Sequence, residues 1–115
     1  MLKVLIPVDG SKNSLRTVRF VIQKAALYKE PLEIHLLNVQ HSFPGTIRGV
    51  HKRAEQYHHD EGIKALTAAR KLLDAAQLKY AYHIIVGDAG ETIGHFVKDK
   101  QIQQVVMGTR GAGAV

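Results

Sequence analysis

The chain has no cysteine, so neither a disulfide framework nor a thiolate metal centre is open to it. Long apolar runs are missing too: no stretch approaches the ~20 residues of a membrane-spanning helix, and no membrane partner is expected. Aromatic residues make up only 6% of the 115 residues. Basic residues are scattered rather than gathered into a stripe, and there is no stacking platform, so nucleic acid is not an expected partner. No Pro/Ser-rich stretch, single-sign charge run or internal repeat divides the chain, and one domain over residues 1–115 is expected. Met1-Leu2-Lys3 enters a strand at once, leaving no space for a signal peptide and making the cytoplasm the expected location.

What is present is an ordinary globular composition with a basic balance. Lys and Arg number 16 against 10 Asp and Glu, a net charge of +6. Such a balance favours anionic partners, nucleotides among them.

The pattern alternates between strand and helix. Leu2–Val8 is nearly all apolar, as a strand buried on both faces should be. A helix is predicted from Ser14 to about Tyr28, with Leu15, Val18, Ile22 and Ala25 inward and Asp9, Ser11, Asn13 or Ser14 as its cap. Pro31 precedes a second strand, Leu32–Val39, and a loop, His41–Gly49. A long helix from about Val50 to Ala76 shows its apolar stripe at Leu66, Ala69, Leu73 and Ala76, while its polar first half is expected to project into solvent. Strand Tyr80–Val86, a helix from Glu91 to about Lys100 and strand Gln104–Met107 complete the order. This alternation predicts an α/β fold: a doubly wound, mostly parallel sheet, with helices on both faces. In such sheets ligands lie beyond the carboxyl ends of the strands, where the strand order reverses. With order 3-2-1-4, that point falls between the first and fourth strands.

Those two strands end in distinctive turns. The first gives Pro7-Val8-Asp9-Gly10-Ser11; the fourth gives Gly108-Thr109-Arg110-Gly111-Ala112-Gly113. Glycines at a strand exit let backbone N–H groups approach a phosphate, and an acidic residue can accept from ribose hydroxyls. No lysine follows the glycine turn as in a Walker loop, and no histidine is placed beside Ser11 and Asp9, so no catalytic residue is assigned. His51, Glu55 and His59, with His58 alongside, share a helix face that reads as a solvated polar surface; no metal site is assigned to it.

These residues together resemble the universal stress protein family. The resemblance is carried by Val4-Leu5-Ile6-Pro7-Val8-Asp9-Gly10-Ser11, His35-Leu36-Leu37-Asn38-Val39, Val86-Gly87-Asp88 and Val105-Val106-Met107-Gly108-Thr109-Arg110-Gly111. It implies a sensor or regulator in stress response that binds an adenine nucleotide, ATP or AMP, with Mg2+ only if ATP is bound. Any ATP hydrolysis would be slow and incidental. By position, Pro7 and Val8 would shape the adenine pocket, Asp9 would approach ribose or adenine, and Val39 would present backbone to the adenine edge. Met107, Gly108 and Gly111 would line the ribose and phosphate side, with Arg110 neutralising phosphate charge.

The closing signature of ATP-binding members is a glycine, two residues, a glycine, nine residues, then a glycine with Ser or Thr. Gly108 and Gly111 match the first two, and the distal pair is not in this sequence. The expectation is therefore a C-terminally shortened member without the final strand and helix, whose fourth strand forms an open edge. Val105, Val106 and Met107 read as a buried strand, so association through that edge, as a homo-oligomer such as a dimer, is expected. The alternative is a nucleotide-independent dimerisation or protein-interaction module of the same fold, its site disabled by the missing phosphate loop.

Overall fold

The computed structural model describes residues 1–42 and 51–108. The elements run β1 (Leu2–Pro7), α1 (Lys12–Ala25), β2 (Leu32–Gln40), α2 (His51–Ala75), β3 (Tyr80–Val86), α3 (Ala89–Lys100) and β4 (Gln104–Val105). They form one four-stranded sheet of order β3-β2-β1-β4, parallel throughout, as the alternation predicts.

β1 is apolar from Val4 to Ile6 because both of its faces are covered there. Val4 and Ile6 join Ile34 and Leu36 of β2 under α1 and α2, against Val18, Val21, Leu66, Ala69 and Leu73. Leu5 and Leu37 point the other way, beneath Phe96 of α3. The sheet is therefore wound on both sides.

Three expectations need correction. α1 buries Ser14, Thr17, Val18 and Val21, so its inner face is rotated from the predicted Leu15-Val18-Ile22-Ala25 stripe. Two hydroxyls are tolerated there because Ser14 Oγ donates to Ser11 O and Thr17 Oγ1 to Asn13 O, each at 3.1 Å. The first half of α2 does not simply project into solvent. His58 is buried, and at Gly62 the helix lies so close to β3 that a Cβ would meet Ile84 at 2.6 Å. β4 is shorter than Gln104–Met107 and is not a buried strand: Val105 is 37% exposed and Met107 54%. Among the described residues β4 pairs with β1 alone, and α3 lies over β1 and β2 rather than over it.

Candidate functional site

β1 and β4 are neighbours joined to the rest of the sheet over opposite faces: β1 leads to β2 through α1 on one face, while β4 is reached through α3 on the other. A crevice of about 280 Å³ opens at their carboxyl ends. Pro7, Val8 and Asp9 form one wall, Leu37 and Val39 the floor, and Met107 and Gly108 the side contributed by β4. Six of the eight residues predicted for the site thus meet here: Pro7, Val8, Asp9, Val39, Met107 and Gly108. The other two, Arg110 and Gly111, lie outside the described residues, as does most of the predicted 41–49 loop.

The turn after β1 is fixed by its own side chains. Asp9 Oδ1 accepts from the Ser11 N–H at 2.9 Å, and Ser11 Oγ caps α1 by accepting from Ser14 N–H at 3.1 Å. The Ser11 hydroxyl, with backbone N–H groups and the Ser14 hydroxyl, holds the Asp9 carboxyl below its ordinary range, and partial burial only partly opposes this. Asp9 is therefore an anion at neutral pH at the mouth of the crevice. Glycine at 108 has a steric cause: a Cβ would sit 2.8 Å from Thr17 Oγ1 and 3.1 Å from the Asn13 side chain. The exit of β4 is thereby pressed against the first turn of α1.

Several lining residues escaped the sequence reading. Asn13 and Ser14 come from the first turn of α1, His41 from just past β2, and Ala89 and Ile93 from α3. Ala89 was missed because the cap was read too late: Asp88 accepts from Glu91 N–H at 3.2 Å, so α3 begins at Ala89 rather than at Glu91.

Asn38 is the residue that positions the site from behind. It is 2% exposed in an otherwise apolar part of β2; Nδ2 donates to Val8 O at 2.8 Å and Oδ1 accepts from Gln40 Nε2 at 2.7 Å. Gln40 Oε1 in turn meets His58 Nδ1 at 3.3 Å, tying the exit of β1 to α2. A buried Asn on a strand was the available signal. Asn38→Leu keeps the bulk but strands the Val8 carbonyl, so a loss of ~1–3 kcal/mol in urea-unfolding free energy is expected. An unchanged midpoint would show that this bond does not hold the turn.

Of the histidine-rich face of α2, the side chain of His51 lies outside the described residues. His58 turns inward, while Glu55 and His59 are exposed, and among the described residues no group of three His, Cys, Asp or Glu could hold a metal ion. Nor is any imidazole hydrogen-bonded to Ser11 among them. No helix of the described residues is long and apolar enough to cross a membrane.

Comparison with known proteins gives the frame for this crevice. The family model described as the universal stress protein family matches residues 1–115. No curated protein sequence matches significantly. Among solved structures, the universal stress protein UspA from Lactobacillus plantarum is similar at TM-score 0.76 and 18% identity, over 99% of this chain and 83% of that one. A universal stress protein family protein from Arabidopsis thaliana, solved with AMP bound, gives 0.73 and 22%, over 100% and 81%. A universal stress protein in complex with cAMP gives 0.66 and 20%, over 92% and 75%. At these identities the likeness establishes the shared fold.

Proposed function

The chain belongs to the universal stress protein family, and from that premise we propose that it binds an adenine nucleotide, AMP or ATP, in the crevice between β1 and β4. The observation that carries this reading is the joint lining of one crevice at the strand-order reversal by Pro7, Val8, Asp9, Val39, Met107 and Gly108. Pro7, Val8 and Val39 supply an apolar wall for the base. One Asp9 oxygen serves the Ser11 turn, and the carboxylate retains acceptor capacity for ribose hydroxyls. Met107 and Gly108 flank the sugar. Arg110 and Gly111 take the phosphate side by their place in the motif, with Mg2+ needed only for ATP. Two related structures carry AMP and cAMP, which supports the ligand class. The chain acts as a cytoplasmic stress-response sensor rather than a turnover enzyme.

Calorimetric titration of AMP and ATP tests this, with UMP as a control. Saturable heat from an adenine nucleotide and none from UMP is expected; no heat from either adenine nucleotide defeats the reading.

A second reading, an interaction module that dimerises along β4, has its own support. Phe20, Val105 and Met107 are exposed around a strand that among the described residues pairs on one side only. Sedimentation equilibrium is expected to show a dimer, and a monomer at every concentration removes this reading.

A further inference from the structure

On the α3 face of the sheet lies an ionisable pair, one member buried and the other half-buried, that the nucleotide reading does not use. His35 of β2 is 8% exposed. Its Nε2 contacts Glu33 Oε2 at 2.8 Å, and its Nδ1 contacts Nε2 of His83, on β3, at 3.1 Å. The two imidazoles stack at 5.3 Å, and Phe96 of α3 sets its ring edge-on to His35 at 5.7 Å and to His83 at 4.7 Å. Phe96 is the residue that α3 buries. The pair is thus part of the seat of the helix, beside Leu5 and Leu37.

Proton bookkeeping makes this seat conditional. With Glu33 ionised, His35 donates from Nε2, so the bare Nδ1 of its neutral ring accepts from His83 Nε2–H. A first added proton on either ring leaves one facing nitrogen bare, so that bond persists with its donor set by the tautomer. A second puts N–H on both facing nitrogens, and the bond is lost. The charged surroundings come from every neighbouring element. Lys100 of α3 bears on His83, His95 and Asp99 line the same groove, and Lys3 of β1 and the N-terminal amine act on Glu33. Burial, then His35 and Lys100, lower the His83 pKa below its ordinary 6.5.

We propose that the His35–His83 pair is a proton-operated latch on α3, closed while one facing nitrogen is bare and released when both carry protons. Ala89 and Ile93 of the same helix line the crevice, so release moves one of its walls. That consequence rests on the nucleotide reading; the latch itself does not. The sign follows from the lowered pKa. The unfolded or undocked chain binds more protons than the closed one, so the stabilisation is complete above 6.5 and is lost as pH falls towards the folded-state value.

The test is amide hydrogen exchange, as protection factors, on the nucleotide-free chain and on His83→Gln. The glutamine amide can donate to a bare His35 nitrogen or accept from a protonated one, and it takes up no proton. Between pH ~7.5 and ~5, wild-type α3 should lose protection several-fold relative to β1, while the variant holds. Unchanged wild-type α3 protection, or parallel loss in both chains, overturns the latch. Should His83→Gln fail to fold, imidazole 15N titration of the wild type decides. Protonation of His83 is expected to run in step with the loss of α3 protection, and protonation without that loss overturns the proposal. AMP is titrated separately at both pH values: absence of binding at each would remove the nucleotide reading, while the exchange result stands on its own.

Discussion

Leu36→Ala is expected to lower the unfolding free energy by ~2–5 kcal/mol, the largest stability effect of any single substitution considered. Leu36 is fully buried, in the strand flanked by β1 and β3 and on the face that α1 and α2 cover. Truncation removes the transfer free energy of the lost atoms and leaves a cavity between two layers that cannot both move inward. Against a typical total of ~5–15 kcal/mol, that is a large share of what holds a domain folded. Urea unfolding should show a lower midpoint with an unchanged slope. A loss under ~1 kcal/mol would mean that the layers collapse onto the gap, and that this face is not the rigid support of the crevice.

For binding, the largest effect is expected at Asp9. Asp9→Ala should weaken AMP by roughly 10- to 100-fold, since a hydrogen bond to a charged group contributes ~1.5–3 kcal/mol. Alanine also removes the acceptor for Ser11 N–H, so part of that loss would come from a loosened turn. Asp9→Asn separates the two contributions. Its side-chain oxygen can still accept from Ser11, but the amide nitrogen then presents a donor where the carboxylate offered an acceptor. Comparable weakening in both variants, with stability kept in the asparagine variant, assigns the effect to ligand contact. Unchanged affinity in both would place the nucleotide elsewhere.

How much of this was legible beforehand depended on whether a residue's role is set by its neighbours in sequence or in space. The winding, the strand order and the meeting of the β1 turn with Met107 and Gly108 were readable, because Val4-Leu5-Ile6 is apolar enough to demand cover on both faces and these residues sit at strand exits. Polar residues with interior partners were not readable. Ser14 and Thr17 face inward on α1 because backbone carbonyls three and four residues back satisfy them. Asn38 is buried because the Val8 carbonyl, 30 residues away, requires it. His83 finds His35 across 48 residues, a distance no periodicity reports. His58, assigned to a solvated face, turns inward beside Gln40 for the same reason. Exposure of Val105 and Met107 was masked in the opposite sense, since an apolar strand reads as buried whether or not anything covers it.

The most direct measurement of the central claim is amide chemical-shift mapping of the chain with AMP. The account predicts saturable shifts concentrated at Val8 to Ser14, at Val39 and at Met107 and Gly108, with the far side of α2 unmoved. Shifts centred on another surface, or none at saturating AMP, would contradict it.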